Sequence, residues 1–229
     1  MMKKNNDTFL SSFQTIINQI NDNSIIGLGS GETISKFIEF LSQSSLSISV
    51  IPSSLQIKHK AETLNLNICS DKYIPSIDIT IDSADQILDS YDVMIKGGGG
   101  ALVKEKILIR ASKKTVILAD QNKFVKKFNI PIPVEIIPYS YYSVKNFLSK
   151  IGGIANLRYI NNKNYPYLTD NGNFILDTSF KKLLDIKKLD QILLSIPGVI
   201  GSGIFIENIA SFFKILSTGK VNEIKVIDD

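Results

Sequence analysis

Residues 92–120, with the sequence DVMIKGGGGALVKEKILIRASKKTVILAD, decide the fold that we expect for this chain. The apolar segment before the glycines predicts a strand, the four consecutive glycines predict a loop, and the residues after them predict a helix. TVILAD, an uninterrupted apolar run, predicts a second, buried strand. A strand, a helix and a further strand in this order form the repeating unit of a parallel sheet.

The same alternation extends toward the N-terminus. Apolar residues at helical spacing predict a helix over Asp7–Asn21, and SIIGLGSGET at 24–33 predicts a strand that runs into a glycine turn and a helix. Further apolar segments on either side of a helix over Leu55–Leu64 predict more strands. The pattern predicts an α/β fold with a Rossmann-like parallel-sheet domain, which we assign to residues 1–130 together with 208–229.

The regular alternation of predicted strands and helices ends after PIPVEIIP at 131–138. YYSVKNFLSKIGG predicts a helix with a glycine stop, and LRYI and YPYLTDNGNFILDTSF predict two strands with a turn at Asn171-Gly172. We therefore expect a second, smaller α+β (ferredoxin-like) domain over residues 131–207. The tail NEIKVIDD predicts a strand that rejoins the first sheet.

The scarcity of histidine and cysteine narrows the chemistry. With 44% apolar and 21% charged residues the chain has the composition of an ordinary globular protein. Its one cysteine, Cys69, lies in an apolar segment, and its one histidine, His59, lies between two lysines. These observations argue against a disulfide, a metal centre and a Ser-His-Asp triad. Carboxylates, lysines and backbone amides remain to carry the chemistry.

Charge and hydropathy limit the partners. No apolar stretch approaches the ~20 residues of a membrane span, and no apolar run follows the lysines near the N-terminus, as a secretory signal would require. We therefore expect a cytoplasmic protein with no membrane partner. The net charge of +4 comes from scattered lysines, which argues against nucleic acid and suits a phosphorylated metabolite.

Ligands of open parallel sheets bind beyond the carboxyl ends of the strands, and four candidate elements lie at such positions. The first is the turn that contains Ser30, Gly31, Glu32 and Thr33, where backbone amides, hydroxyls and a helix N-terminus favour phosphate. Glycine turns between a strand and a helix are common, so this signal is weak by itself. A dinucleotide fingerprint is disfavoured because its third glycine is missing.

The second and third elements are Asp82-Ser83-Ala84-Asp85 and the run from Lys96 to Gly100. A lone pair of aspartates at this spacing is more often a turn or helix cap than a pair of cavity carboxylates. Four glycines, by contrast, lose much chain entropy on ordering, which favours a functional loop, and Lys96 is well placed to reach an oxyanion. The loop does not match a P-loop, because no Gly-Lys-Ser/Thr follows.

The fourth element is Glu105, early in the predicted helix. Two interpretations are open. Ala101, Glu105 and Leu108 share a helix face, which would direct the Glu105 carboxylate inward. Alternatively, Glu105 lies at the surface and pairs with Lys104 or Lys106. The periodicity alone slightly favours the surface interpretation.

Together these elements resemble the ribose-5-phosphate isomerase type A family over nearly the whole chain. The resemblance rests on seven segments in order: GLGSGETISKFIEFL, IDITIDSADQ, MIKGGGGALVKEKIL, VILADQNKFV, IPVEIIP, LTDNGNFILD and IPGVIGSGIF. It implies interconversion of ribose 5-phosphate and ribulose 5-phosphate in the non-oxidative pentose phosphate pathway, without a metal or organic cofactor. It also implies a homodimer or homotetramer.

The resemblance implies a role for each candidate residue. Glu105 matches the base that moves a proton between C2 and C1, and Lys96 matches the residue that stabilises the negative oxygen of the enediolate. Asp82 and Asp85 match the pair that assists ring opening and orients the sugar hydroxyls. The remaining matches are substrate contacts: Ser30, Gly31, Glu32, Thr33, Ser83, Ala84, the amides of Gly97, Gly98 and Gly99, and Lys123.

Three residues depart from the family pattern. Glu32 stands where a small hydroxyl residue is usual, Ser83 replaces a glycine, and Gln86 replaces a glutamate. A carboxylate beside a phosphate repels it unless the carboxylate points away or pairs with a lysine, so a member weakened by Glu32 is one alternative. The strand-and-loop pattern also resembles coenzyme A transferases and sugar-phosphate-binding sensor modules.

Overall fold

The computed structural model describes residues 12–69, 76–160, 163–181, 185–206, 209, 211–216, 218 and 220–226. The chain divides into two compact units, of which the first comprises residues 1–84, 104–124 and 207–229. The second comprises residues 85–103 and 125–206. It therefore takes in two segments, 85–103 and 125–130, that the sequence assigned to the first domain.

The secondary-structure elements alternate along most of the chain. The strands are β1 (Ile25–Leu28), β2 (Ser49–Pro52), β3 (Asn67–Ile68), β4 (Ile79–Asp82), β5 (Gln86–Leu88), β6 (Met94–Ile95), β7 (Thr115–Asp120), β8 (Phe124–Val125), β9 (Ile132–Ile136), β10 (Gly153–Leu157), β11 (Phe174–Phe180), β12 (Val199–Ser202), β13 (Ile204–Phe205), β14 (Ser211–Ile215) and β15 (Val221–Lys225). The helices are α1, described over residues 12–17, α2 (Glu32–Leu41), α3 (Leu55–Thr63), α4 (Leu102–Ala111), α5 (Tyr141–Lys150) and α6 (Ile186–Ser195). Short 3₁₀ turns cover Gln121–Lys123 and Pro138–Ser140.

The first unit is built on a seven-stranded sheet with the order β15-β14-β7-β4-β1-β2-β3. Its strands are parallel except for β15, which pairs antiparallel with β14 at the edge. This confirms the predicted parallel sheet and the return of the tail to it. The expected helix over 7–21 is present from residue 12 to residue 17, while residues 7–11 lie outside the described part of the chain.

Helix α2 shows why this sequence packs against the sheet. Its buried residues Ile34, Phe37, Ile38 and Leu41 recur at helical spacing and form one apolar stripe. The stripe joins a core cluster that includes Ile26, Leu28 and Ile81 from β1 and β4 and Val116, Leu118 and Phe213 from β7 and β14. Burial of these side chains on both the helix and the strands holds the carboxyl ends of the strands in place.

The second unit contains the predicted ferredoxin-like domain. Strand β9, helix α5, strands β10 and β11, helix α6 and strand β12 follow each other in the order β-α-β-β-α-β, and the antiparallel sheet has the order β10-β11-β9-β12. The predicted turn at Asn171-Gly172 is confirmed, with Gly172 at φ +77°. Strand β10 begins at Gly153, before the segment LRYI where the sequence placed it.

One strand prediction is wrong. Residues 92–96 were expected to form a strand of the parallel sheet, but β6 covers only Met94–Ile95. It pairs antiparallel with β5 and β13 in a small separate sheet of order β13-β6-β5-β8. Such a short apolar run does not reveal its pairing partner, because the partner strand β13 follows more than a hundred residues later. No helix among the described residues is long and apolar enough to cross a membrane.

Replacing Ser54 by alanine should lower the free energy of unfolding by about 1 kcal/mol. The Ser54 hydroxyl caps helix α3 by accepting a hydrogen bond from the Ile57 amide at 3.2 Å, and alanine leaves that amide without the cap. Urea unfolding measures the difference, and Ser54→Asp, which retains a capping oxygen, serves as the control. A Ser54→Ala protein as stable as the parent would contradict the capping role.

Candidate active site

A buried aspartate lies at the carboxyl end of β4. The Asp82 side chain has no exposed surface, and its Oδ1 accepts a hydrogen bond from the Ser83 amide at 2.7 Å. The neighbouring strand makes room for it, since a Cβ on Gly29 would lie 1.8 Å from Asp82 Oδ1. The glycine of the GLGSGET segment at this position is therefore required for the close approach of the carboxylate.

Glu105 is buried as well. Only 2% of the residue is exposed, and its Oε1 accepts a hydrogen bond from the Ser30 hydroxyl at 2.6 Å. Ser30 follows β1, and Glu105 lies in the first turn of α4. The inward orientation is confirmed, and the surface interpretation that periodicity slightly favoured is wrong. Removing a carboxylate from water costs free energy, so the hydrogen bond from the Ser30 hydroxyl contributes substantially to stabilising the buried Glu105 carboxylate.

The loop after β1 ends at Gly31, which opens helix α2 with φ +92°, a conformation that favours glycine. The Gly31 carbonyl accepts the Ser35 amide at 3.0 Å, so Glu32 and Thr33 lie in the first turn of the helix. Amides of a first helical turn have no partner within the helix, which makes this end attractive to an anion.

The three departures from the family pattern have visible consequences. Glu32 is exposed and forms an ion pair with Lys36 at 2.8 Å, and this hydrogen bond and charge lower the pKa of its carboxyl group. The Ser83 hydroxyl donates to the Ser30 carbonyl at 3.3 Å, and the Gln86 side chain accepts the Asn129 amide at 3.0 Å. Glu32 is thus an ionised, paired carboxylate, and Ser83 links the two loops of the first unit.

Two predicted residues lie near this edge of the sheet. Lys123 is half-buried in the 3₁₀ turn directly after β7, the strand that pairs with β4 through Asp82 and Ile117. Ala84, two residues after Asp82, is also buried. Within the described part of the chain, no hydrogen bond joins Lys123 to another predicted site residue.

In the second unit, Lys96 is 2% exposed at the end of β6. Its amide donates to the Gly203 carbonyl at 2.9 Å, and its ammonium nitrogen lies 5.5 Å from the centroid of the Phe205 ring, within the range of a cation–π interaction. The Asp85 carboxylate accepts the Gly98 amide at 2.7 Å. Asp85 is therefore tied to the glycine loop, a contact that the sequence did not predict.

The glycine loop is held by two further side chains. The Arg158 guanidinium donates through Nη1 to the carbonyls of Gly97 and Gly98, at 2.8 and 3.2 Å. The Tyr167 hydroxyl donates to the Gly99 carbonyl at 3.2 Å. Among the described residues, no group of three or more His, Cys, Asp or Glu side chains is arranged to hold a metal ion.

The sequence of the chain is similar to that of a known protein family. The profile of the family described as ribose 5-phosphate isomerase A (phosphoriboisomerase A) matches residues 49–216 of the 229-residue chain. The chain belongs to the ribose 5-phosphate isomerase A family. A curated relative, ribose-5-phosphate isomerase A 1 of Oceanobacillus iheyensis, is 39% identical over 193 residues, which cover 82% of this chain and 85% of the relative.

Solved structures of this family have the same fold. The ribose 5-phosphate isomerase A of Methanocaldococcus jannaschii superimposes with a TM-score of 0.88 at 34% identity, covering 97% of this chain and 100% of that one. A D-ribose-5-phosphate isomerase in complex with phospho-erythronic acid superimposes with a TM-score of 0.89 at 31% identity, covering 97% and 98% of the two chains.

Sequence reasoning missed the role of Glu135 in the IPVEIIP segment of this family member. The side chain has no exposed surface, and its Oε1 accepts hydrogen bonds from Thr169 Oγ1 at 3.0 Å, Asn171 Nδ2 at 3.1 Å and Asn173 Nδ2 at 2.9 Å. The TDNGN turn is therefore folded around a buried carboxylate. A glutamate within an otherwise apolar strand was the signal that could have pointed to it.

Arg158 and Tyr167 were also missed, because the sequence indicated only that they lie in or near strands. Their contacts reach back more than sixty residues to the glycine loop, and no local pattern encodes such a separation. One usable signal was composition, since the chain is rich in lysine but has arginine only at positions 110 and 158.

The Tyr167 phenol should ionise at a higher pH than a free tyrosine side chain. Burial raises its pKa above the ordinary value of 10.0, the charges of Asp170 and Glu135 raise it further, and Arg158 acts in the opposite direction. Because the folded-state pKa is raised, the phenol's contribution to stability is complete below about pH 10 and is lost as the pH rises through the folded-state pKa. The parent and Tyr167→Phe are each titrated spectrophotometrically, and the difference between the two curves should have its midpoint above pH 10.0. A midpoint at or below 10.0 would show that the Tyr167 phenol is not buried as described.

Proposed function

We propose that this protein interconverts D-ribose 5-phosphate and D-ribulose 5-phosphate through an enediolate, as a step of the non-oxidative pentose phosphate pathway. The observation that carries the proposal is the buried Glu105 carboxylate, hydrogen-bonded to Ser30, in a chain that belongs to the ribose 5-phosphate isomerase A family. Aldose–ketose isomerisation requires a positioned base and a stabilised oxyanion, and neither His nor Cys is needed for it.

In the proposed reaction Glu105 removes the proton from C2 of the open-chain aldose. The aldehyde oxygen O1 gains a proton and O2 loses one, and Glu105 returns its proton to C1, which yields the ketose. The C2–H and O2–H bonds break while the C1–H and O1–H bonds form, so no redox partner or cofactor is required. The Ser30 hydroxyl fixes Oε1 of Glu105 and leaves the orientation of the carboxylate well defined.

The remaining roles follow from the chemistry of the side chains. Lys96 supplies a positive charge to the enediolate oxygen, and its low exposure strengthens that interaction. Asp82 and Asp85 assist ring opening and orient the sugar hydroxyls. The phosphate and the hydroxyls are contacted by Ser30, Gly31, Glu32 (through its backbone amide), Thr33, Ser83, Ala84, Gly97, Gly98, Gly99 and Lys123.

A relative in complex with phospho-erythronic acid supports this choice of substrate. That ligand combines a phosphate with a planar carboxylate, which resembles the planar, negatively charged end of an enediolate. We extend its binding to this chain and propose a homodimer or homotetramer in the cytoplasm. Exposed Tyr139, in the 3₁₀ turn before α5, and exposed Tyr142, in the first turn of α5, support association, since large apolar side chains at the surface favour contacts between proteins.

Replacing Glu105 by glutamine should lower kcat for ribose 5-phosphate by about 10²–10⁴-fold, because the amide does not accept the C2 proton. The assay uses chelator-treated protein, and Glu39→Gln, a change at an exposed glutamate on α2, is the matched control. Retention of full activity by Glu105→Gln would contradict the assigned base. Binding of ribose 5-phosphate without turnover by the parent would indicate the sugar-phosphate sensor instead.

Replacing Glu32 by serine should change KM by less than about threefold, because Lys36 already neutralises the carboxylate. Lys36→Gln should expose that charge and raise KM by about threefold, and the double variant Glu32→Ser/Lys36→Gln should restore the parent value. Steady-state kinetics of the four proteins give the coupling. A large fall in KM for Glu32→Ser alone would show instead that the carboxylate opposes the phosphate.

A further inference from the structure

We propose that Arg158 is a positioning residue that aims the Gly99 amide at the anionic end of the substrate. The proposal rests on the isomerase function above, in which the glycine loop contacts the substrate. Gly97 and Gly100 have φ values of +106° and +79°, and glycine loses more conformational freedom on ordering than any other residue. A run of four glycines therefore needs neighbouring groups to fix the direction of each peptide.

The Gly97–Gly98 peptide is held at both ends. Its carbonyl oxygen accepts Arg158 Nη1 at 2.8 Å, and its N–H donates to Asp85 at 2.7 Å. The Gly97 carbonyl also accepts the Gly100 amide at 3.0 Å, which closes the turn. The position of this peptide is consequently determined by two charged side chains on its two edges.

The next peptide is held at one end only. The Gly98 carbonyl accepts the same Nη1 of Arg158 at 3.2 Å. Because the peptide is planar and trans, the N–H of Gly99 points away from the guanidinium. No acceptor for that N–H is found in the part of the chain that the structure describes. An anionic oxygen of a ligand is the natural acceptor for an amide fixed in this way.

Arg158 is itself rigidly supported. Its Nε donates to Asp177 Oδ2 at 2.9 Å, and Nη2 contacts the other oxygen of the same carboxylate on β11. Its amide donates to the Ile175 carbonyl at 2.9 Å, and its carbonyl accepts the Tyr167 amide at 2.9 Å. The side chain is 16% exposed, so the fork of the guanidinium joins an antiparallel sheet to the loop with little freedom of its own.

Tyr167 holds the following peptide. Its hydroxyl donates to the Gly99 carbonyl at 3.2 Å, and a Cβ on Gly100 would lie 2.3 Å from that hydroxyl oxygen. The carbonyls of Gly97, Gly98 and Gly99 are thus all occupied by protein donors. Arg158 serves two of the three, which makes it the residue whose loss should disturb the loop most.

The test uses Arg158→Gly and Arg158→Lys in the full chain. The lysine variant retains the charge but lacks the planar fork. We expect kcat to fall by about 10–100-fold in both, with KM changed by less than about threefold, because misaligned groups impair the transition state more than ground-state binding. Added guanidinium ion at millimolar concentration should restore part of the kcat of Arg158→Gly and none of that of Arg158→Lys.

The matched control is Lys187→Gln, which removes an exposed ion pair with Asp92 in the same unit. It should leave kcat unchanged. Two results would overturn the proposal. One is a kcat of Arg158→Lys within about threefold of the parent value, and the other is a kcat of Arg158→Gly that added guanidinium does not raise.

A second measurement separates this proposal from the proposed function. Hydrogen exchange of the Gly98 and Gly100 amides, followed by NMR in the free protein, should be about tenfold faster in Arg158→Lys than in the parent or in Lys187→Gln. Absence of turnover in the parent would reject the isomerase function alone. Unchanged exchange at these two amides would reject the role of Arg158 whatever the activity.

Discussion

Burial of carboxylates is the constraint on which the local structure of this protein depends. Asp82, Glu105 and Glu135 are almost or completely removed from solvent, and an isolated buried carboxylate is strongly destabilising. Each is therefore matched with donors supplied by a nearby turn: the Ser83 amide, the Ser30 hydroxyl, and the Thr169, Asn171 and Asn173 side chains. These turns lie in three of the seven segments by which the chain resembles its family.

The glycines have a related explanation. Gly29 lacks a side chain because the Asp82 carboxylate occupies that space, and a Cβ on Gly98 or Gly100 would collide with the Asp85 carboxylate or the Tyr167 hydroxyl. In the proposed reaction, fixed peptide dipoles and lysines stabilise the negative charge, in a chain with one histidine and one cysteine. Such dipoles are effective only when their direction is fixed, which explains the need for Arg158, Tyr167 and Asp85 around the loop.

Much of the fold was predictable from sequence because it depends on local periodicity. The alternation of strands and helices predicted the parallel sheet, and the change of rhythm after residue 131 predicted the ferredoxin-like domain. The β6 assignment was wrong because strand pairing is a long-range property. Residues 85–103 and 125–130 lie in the second unit. The sequence did not predict this, because the chain crosses between the units without a change in composition.

The candidate site was less predictable, since its decisive contacts join distant residues. The position of Glu105 depends on Ser30, seventy-five residues earlier, and its helix alternates polar and apolar residues too irregularly to identify the buried face. Family resemblance compensated for this by matching Glu105 to a base. It assigned no role to Arg158 or Glu135, whose contacts became visible only when the glycine loop and the TDNGN turn were seen in three dimensions.

The central claim is that the Glu105 carboxylate carries the proton between C2 and C1. Its most direct test is the rate at which deuterium is lost from C2 of ribose 5-phosphate labelled there, followed by NMR in ordinary water. The parent should remove the deuterium from C2, and the label should appear on C1 of the ketose or, after exchange on Glu105, in water. Glu105→Gln should remove the C2 deuterium at least about 100-fold more slowly, although it still binds phospho-erythronic acid. Release of the C2 deuterium by Glu105→Gln at the parent rate would contradict the account.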